Sequence, residues 1–302
     1  MQLQKQLEKY YGITNAICVP LDTLANYAIS VTTPTGRFAL KLYNPASRTA
    51  AEVQWEIELT LHLLQKGVPV AKPVRSKNGY VETIQGDGLD RTAVLFAWAP
   101  GEKPQAGPGT YILLGKAAAQ IHQAADGFTS LLSREKYDVT VLIDEQLQLM
   151  KDPLIESNQW SRVKDLGNRM KQILANPHLD RGVCHMDLTL DNIHIDGDRI
   201  TVFDFDSAGE SFRAIEPYGV LKFSEKYFKS WLEGYRSIRT FSMENEKAVY
   251  AFVIIGELRN VVWKLGLARS SRGKPLIDTS YLPGIVDEWL AWEHTHLPSS
   301  VK

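Results

Sequence analysis

The most constraining feature of this sequence is a group of acids and one amide between residues 184 and 206. Asp187 is followed five residues later by Asn192, and Asp204 and Asp206 come after a second apolar run. Carboxylate and amide oxygens are the hard ligands that Mg²⁺ prefers, and a separate carboxylate can orient or deprotonate a hydroxyl group. Metal-dependent phosphoryl transfer requires this spacing, with Asp187 as the base and Asn192 and Asp204 as metal ligands.

A tight hairpin is predicted between Asn192 and Asp204. Apolar residues alternate on both sides of the Asp196-Gly197-Asp198 segment, whose residue types favour a short turn between antiparallel strands. Such a turn folds the chain back on itself. Asn192 and Asp204 are therefore expected to lie close together.

A strand is predicted at residues 36–43. Its period-two alternation places Phe38, Leu40 and Leu42 on one face and Ala39 with Lys41 on the other. A small residue beside a lysine suits a cleft where a purine lies flat and an ammonium group reaches its phosphates.

Residues 49–66 have the apolar spacing of an amphipathic helix with no internal glycine or proline. Glu56 falls on the apolar flank of this helix, where an unpaired charge would be costly. Lys41 is the candidate partner for this carboxylate. The alternative is that Glu56 is an ordinary solvated helix charge.

These motifs together resemble those of the aminoglycoside phosphotransferase and choline kinase-like family. The resemblance runs from about residue 24 to residue 212 and rests on the ordered set of motifs. They are the Phe-Ala-Leu-Lys strand at 38–41, the glutamate-bearing helix that leads into 67–70, the His-x-Asp at 185–187 and the Asp-Phe-Asp at 204–206.

The resemblance implies an α+β chain with a two-lobed, protein-kinase-like fold. A small lobe with an antiparallel sheet is expected at residues 1–98, where the nucleotide would bind. A larger, mainly helical lobe is expected at residues 99–302, with the catalytic and acceptor-binding residues.

Carried over by position, the family's roles fall on named side chains. Lys41 would contact the α- and β-phosphates and pair with Glu56. Asp187 would be the catalytic aspartate, and Asn192 with Asp204 would hold Mg²⁺.

Asp206 stands where protein kinases have a glycine, and many members of the resembled family have an acid there. It is predicted either as a further metal ligand or as a cap of the loop. His185 is expected to support the catalytic loop through hydrogen bonds rather than to take part in the chemistry.

The segment 95–101 resembles the hinge between the lobes. Phe96 would stand at its entrance, the backbone groups of Ala97 and Ala99 would face the base of ATP or GTP, and His194 would lie beneath the purine. The predicted nucleotide contacts besides Lys41 and Glu56 are Ala39, Phe96, Ala97, Ala99, His194 and Phe203.

Two departures from the family pattern prompt an alternative. Met186 stands where the family commonly has glycine, and residues 22–26, expected to cover the phosphates, contain no glycine. A catalytically silent nucleotide-binding module therefore stays open beside the active enzyme.

Composition excludes several other classes of protein. A formal charge of −1 argues against general nucleic-acid binding, which needs a clustered basic excess. Two cysteines are too few for a disulfide framework, and no apolar stretch reaches membrane-spanning length. A cytoplasmic protein without a nucleic-acid or membrane partner is expected.

The expected substrate is a small molecule with a hydroxyl group. The resemblance favours an aminoglycoside-like or other amine-bearing antibiotic, with resistance by phosphorylation as the consequence. Homoserine, choline or a sugar is the metabolic alternative. Helices predicted at 224–235, 244–268 and 283–294 would build the acceptor pocket, and acids such as Glu216 and Glu257 could recognise an amine, although scattered acids usually only solvate helices.

Overall fold

The computed structural model describes residues 2–23, 26–86, 89–266 and 279–297. Leu24 and Ala25 of the predicted phosphate-covering segment lie outside this range, as do residues 267 and 268 at the end of a predicted helix. A five-stranded antiparallel sheet, two short two-stranded sheets and a larger number of helices make up the described residues, in agreement with the predicted α+β class.

The largest sheet has five strands in the order β1-β2-β3-β5-β4, and every neighbouring pair is antiparallel. The strand predicted at 36–43 is confirmed as β3. The strands are β1 (Ile17–Leu21), β2 (Tyr27–Thr33), β3 (Gly36–Leu42), β4 (Glu82–Gly86) and β5 (Leu89–Ala97).

The two faces of β3 are buried against different partners, as its alternation predicts. Leu40 and Leu42 pack in a cluster with Leu7 of helix α1 (Gln2–Tyr11). The opposite face faces helix α2 (Ala50–Gln65), which begins with a capping box between Thr49 and Glu52. The sheet and α2 thereby enclose Lys41 in a buried layer.

The apolar spacing also predicts helices at 111–125 and 160–175, which lie at Pro108–Ala125 and Trp160–Leu174, and most predicted helices are confirmed. Helices α1, α5 (Lys151–Glu156) and α7 (Tyr218–Phe223) are additional. The segment 138–151, which the same spacing predicts as one helix, begins with a π-helical turn at Thr140–Asp144, continues as α4 (Glu145–Leu149) and ends at Met150. Pro153 lies in the first turn of α5 and has no N–H to continue the preceding helix. The helices after α2 are α3 (Pro108–Ala125), α4 (Glu145–Leu149), α5 (Lys151–Glu156), α6 (Trp160–Leu174), α7 (Tyr218–Phe223), α8 (Glu225–Arg236), α9 (Met243–Lys264) and α10 (Leu282–His296).

Two short two-stranded sheets carry the predicted site segments. Strand β6 (Arg181–Cys184) pairs with β9 (Gly209–Phe212) just before the His-x-Asp motif. Strands β7 (Ile193–Asp196) and β8 (Arg199–Val202) form the predicted hairpin, with Gly197 at a φ of 64° in its turn.

The chain forms two compact units. The first unit contains Met1–Pro104, Ala124–Arg134 and Leu190–Ser207. The second contains Gln105–Gln123, Glu135–Thr189 and Ala208–Lys302. A lobe boundary between residues 98 and 99 stays a prediction. Among the described residues, no helix combines the length and the apolar character needed to span a bilayer.

Candidate active site

Lys41 is the centre of a charged cluster in the first unit. Its Nζ lies 3.4 Å from Oε1 of Glu56 and 2.6 Å from Oδ1 of Asp204. The hydroxyl of Tyr43 donates a second hydrogen bond to Glu56 Oε1, at 2.9 Å. The pairing of Lys41 with Glu56, predicted from helix periodicity, is therefore confirmed.

The protonation states of this cluster follow from burial and from the nearby charges. Burial lowers the pKa of Lys41, but Asp204, Asp206 and Glu56 together raise it well above its ordinary value. Burial raises the pKa of Glu56, while the ammonium group of Lys41 opposes that rise. Lys41 is thus a permanent cation that acid groups hold in place.

The hairpin of β7 and β8 brings the two predicted metal ligands to its open end. The N–H of Phe203 donates to the carbonyl of Asn192 at 3.0 Å, one position before Asp204. The Asp204 side chain is 42% exposed, and its backbone has a φ of 67°. A carboxylate and an amide at the end of one hairpin offer the oxygen donors that suit Mg²⁺.

Asp206 is enclosed far more tightly than Asp204. Arg48 Nε donates to its Oδ1 at 3.0 Å, and Asn26 Nδ2 donates to its Oδ2 at 2.7 Å. Burial raises the pKa of this carboxyl, but the charges of Lys41 and Arg48 outweigh it and bring the pKa to about 2. Asp206 is therefore ionised and held by protein donors.

The predicted hinge is an ordered segment that follows β5. Ala39 and Phe96 are cross-strand partners in β3 and β5. The N–H of Ala97 donates to the carbonyl of Lys72 at 2.8 Å. His194 Nδ1 donates to the carbonyl of Ala99 at 2.9 Å, so the hinge and β7 are joined by a side chain.

An aromatic group surrounds His194. Its ring lies edge-on to Phe203, with centroids 5.0 Å apart, and 5.9 Å from the ring of Trp98. The six predicted base contacts thus all belong to the first unit, as do Lys41 and Glu56.

Asp187 lies in the second unit, on a loop after β6 that a buried glutamate fixes. Glu216 accepts the N–H of Met186 at 2.7 Å and that of His185 at 3.2 Å. Met186 has a φ of 69°, a left-handed conformation that glycine adopts most easily. The backbone at this position explains why glycine is common there in the family that the motifs resemble.

A buried polar cluster supports Glu216 from behind. His122 Nε2 lies 3.6 Å from Glu216 Oε2, and His122 Nδ1 is 2.8 Å from the hydroxyl of Tyr235. The ligand atoms of His122, Cys184 and Glu216 lie within 4.8 Å of one another, a possible arrangement for a metal. Because Glu216 already accepts two backbone N–H groups and the positive charge of Arg213 is close, we interpret the cluster as an anchor for the loop.

Replacing Glu216 by glutamine should destabilise the protein, because the amide nitrogen cannot accept the second backbone N–H. We expect the free energy of unfolding to fall by about 2 kcal/mol, measured by denaturant unfolding. Glu210→Gln is the matched control, since its carboxylate is half exposed on β9 beside Lys136. The control should change stability by less than about 0.5 kcal/mol. Equal losses in both variants would contradict the anchoring role.

Several residues at the site do not belong to a recognisable sequence motif. Tyr43 and Arg48 follow β3, and Asn26 precedes β2. Arg134 donates to the backbone carbonyl of Asp206 from a segment far away in sequence. Of these residues, only Asn26 was indicated by the sequence, because it lies in the predicted phosphate-covering segment.

The chain matches known proteins over most of its length. Residues 19–248 match the model of the phosphotransferase enzyme family. An uncharacterized protein of Deinococcus radiodurans is 30% identical over an alignment of 211 residues that covers 68% of this chain and 61% of that protein. The chain spans about three fifths of the length of that protein and of a Synechocystis relative.

Several relatives have names that state a reaction, an amicoumacin kinase and homoserine kinases among them. Amicoumacin kinase of Bacillus subtilis is 26% identical, over 74% of this chain and 73% of its own. Homoserine kinase of Neisseria meningitidis is 27% identical, over 79% of this chain and 75% of its own.

Solved structures share the fold. Amicoumacin kinase hAmiN, in complex with AMP-PNP, Ca²⁺ and Ami, matches with a TM-score of 0.77 at 21% identity, covering 98% of this chain and 94% of that chain. A microcompartment-associated aminopropanol kinase matches with a TM-score of 0.76 at 20% identity, covering 98% of this chain and 97% of that chain. The predicted two-lobed, protein-kinase-like fold is confirmed, and the chain belongs to the phosphotransferase enzyme family.

Proposed function

We propose that this protein transfers the γ-phosphoryl group of a nucleoside triphosphate to a hydroxyl group of a small molecule. The observation that carries the proposal is the position of Lys41, buried between Glu56 and Asp204. A permanent cation beside an exposed carboxylate suits a triphosphate that arrives with a divalent metal ion. A purely structural ion pair would not require the half-exposed Asp204.

Asp187 is the proposed base. The acceptor oxygen would form a bond to the γ-phosphorus as the bond from that phosphorus to the bridging oxygen breaks, and the hydroxyl proton would pass to Asp187. The nucleoside diphosphate leaves. Asn192 and Asp204 would hold Mg²⁺, which supplies neutralisation of the phosphate charge.

The hinge favours ATP as the donor. The N–H of Ala97 and the carbonyl of Ala99 already have protein partners. We therefore assign the base to the carbonyl of Ala97 and the N–H of Ala99. The carbonyl of Ala97 would accept a hydrogen bond from the amino group of adenine, and the N–H of Ala99 would donate to its ring nitrogen. Competition of ATP and GTP for one labelled analogue tests the assignment, and equal affinities would count against it.

An amine-bearing acceptor is supported by a polar group on α7 and α9 of the second unit. The ring of Tyr218 packs directly on Gly256, where a Cβ atom would come within 2.2 Å of it. Beside Gly256, Glu257 accepts a hydrogen bond from Asn260 at 3.0 Å and pairs with Lys222.

This group lies within electrostatic reach of the proposed base. Burial raises the pKa of the Tyr218 hydroxyl, the charge of Arg259 opposes that rise, and the charges of Asp187 and Glu257 add to it. An acceptor ammonium could replace Lys222 at Glu257, because the Lys222 side chain is 46% exposed and free to move into water. We propose that Glu257 recognises the amine.

Glu257→Gln should raise the KM for an amine-bearing acceptor by about tenfold, since a charge-assisted hydrogen bond is lost. The KM for the nucleotide should not change, and neither should that for a neutral hydroxyl acceptor. Glu244→Gln is the control, an exposed acid in the first turn of the same helix. Unchanged amine KM values in both variants would exclude Glu257 as the recognition group.

A panel of acceptors tests the proposal as a whole. The protein is incubated with labelled ATP, Mg²⁺ and, separately, aminoglycosides, amicoumacin, homoserine, choline and simple sugars. A phosphorylated antibiotic would make the reaction a route of drug inactivation, and a phosphorylated homoserine, choline or sugar would make it a metabolic step. No product from any acceptor, together with no background nucleotide hydrolysis, would favour the silent nucleotide-binding module.

A further inference from the structure

We infer that Asp206 is a positioning residue of the nucleotide site and not a metal ligand. It ties the start of β2 and the N-terminus of α2 to the segment that carries Asp204. The inference rests on the proposed binding of nucleotide by Lys41 and Asp204, but its central contacts stand independently of any reaction.

Both carboxylate oxygens of Asp206 accept hydrogen bonds from protein side chains. Oδ1 accepts from Arg48 Nε at 3.0 Å, and Oδ2 accepts from Asn26 Nδ2 at 2.7 Å. Arg48 Nε also donates to the backbone carbonyl of Asp206 at 3.0 Å, and Arg134 donates to the same carbonyl. Both oxygens of the side chain are therefore directed at protein donors.

Positive charges surround Asp206. Arg48 and Arg134 bring two guanidinium groups to Asp206, and Lys41 adds its ammonium field. A divalent cation at this carboxylate would have to displace or oppose these positive groups. Asp204 differs, because its side chain is 42% exposed, whereas that of Asp206 is 15% exposed.

The hydrogen bonds of Asp206 connect separate elements of the first unit. Asn26 precedes β2, and its Oδ1 accepts the N–H of Asn44 at 3.0 Å, just after β3. Arg48 directly precedes the N-cap Thr49 of α2, the helix that carries Glu56. Asp206 thus joins the residue that precedes β2 and the residue that precedes the N-cap of α2 to the segment that carries Asp204, all within the first unit.

This tie offers a substitute for a phosphate loop shaped by glycine. Residues 22–26 contain no glycine. The side-chain amide of Asn26 instead fixes the end of this segment to Asp206. Loss of the tie should loosen the start of β2 and the start of α2 together.

The experiment compares Asp206→Asn and Arg48→Gln with Asp204→Asn in the full chain. Asp198→Asn is the control, an exposed acid in the hairpin turn. Binding of a non-hydrolysable ATP analogue is titrated at several Mg²⁺ concentrations. Amide hydrogen exchange over residues 26–56 is measured without nucleotide.

We expect Asp206→Asn and Arg48→Gln each to weaken analogue binding by about tenfold while the Mg²⁺ midpoint stays within about twofold. Exchange should accelerate at the starts of β2 and α2 in both variants. Their effects should not add in the double variant, because both remove one tie. Asp204→Asn should shift the Mg²⁺ midpoint by more than about tenfold. Asp198→Asn should change neither the Mg²⁺ midpoint nor the exchange rates.

The inference is overturned if Asp206→Asn shifts the Mg²⁺ midpoint as Asp204→Asn does while exchange stays unchanged. If Asp206→Asn does not fold, Arg48→Gln and Asn26→Ala are compared by the same two measurements. Unchanged amide exchange in both of these variants overturns the inference. The exchange result needs no turnover. Failure of the proposed function, seen as no product from any acceptor, is therefore distinguishable from failure of the tie.

Discussion

Replacing Asp187 by alanine is expected to lower kcat by about a thousandfold while the Kd for nucleotide stays within about twofold. The substitution removes the group that takes the acceptor proton and leaves every proposed nucleotide contact in place. The loop itself should keep its shape, because Glu216 accepts the backbone N–H groups of His185 and Met186, and the substitution removes neither of these hydrogen bonds. Single-turnover kinetics and equilibrium titration of an ATP analogue give the two quantities separately.

A matched control for this variant lies four residues further along the chain. Asp191 is an exposed acid that pairs with Lys103 on the surface, at 2.7 Å. Asp191→Ala should keep its kcat within about twofold, since exposed ion pairs contribute little. A loss in Asp187→Ala no larger than that of the control would remove Asp187 from the role of base.

Replacing Asp204 by alanine should affect binding rather than only turnover. We expect the Kd for nucleotide in the presence of Mg²⁺ to rise by about a hundredfold, because the metal loses its carboxylate ligand and Lys41 loses its nearest acid. Without Mg²⁺, or after chelation, the variant and the parent should bind nucleotide with similar affinity. The measurement is a nucleotide titration with and without Mg²⁺.

The control for Asp204 is Asp198→Ala, in the exposed turn of the same hairpin. It tests whether the removal of any acid from the hairpin weakens metal-dependent binding. Near-wild-type rates in both Asp187→Ala and Asp204→Ala would contradict the assignment of the catalytic groups. A Kd in Asp204→Ala that does not depend on Mg²⁺ would support it.

Local periodicity predicted the elements that carry the main charges of the site. The alternation of β3 placed Lys41 opposite the apolar face of that strand, and the helix pattern of α2 placed Glu56 on the apolar flank of that helix. The structure brings Lys41 and Glu56 to 3.4 Å. The hairpin between Asn192 and Asp204 followed from alternation around a turn with glycine.

Other features could not be read from periodicity. The segment 138–151 has the apolar pattern of one helix, but its first turn is π-helical and the helix ends at Met150. Glu216 was a candidate for contact with an amine, yet it is buried and binds the backbone of the catalytic loop. Residue type alone does not distinguish a glutamate that anchors a loop from one that contacts a ligand.

The sequence by itself determined the fold class, the main strands and helices, and the group of acids, amide and lysine on which the proposed chemistry depends. Each follows from spacing along a strand, helix or turn, where neighbours in space are neighbours in the chain. Only the tertiary structure decided the environment of Asp206. Its donors Asn26 and Arg48 lie 180 and 158 positions away in sequence, and contacts at such separation depend on how whole elements pack, which no local pattern records.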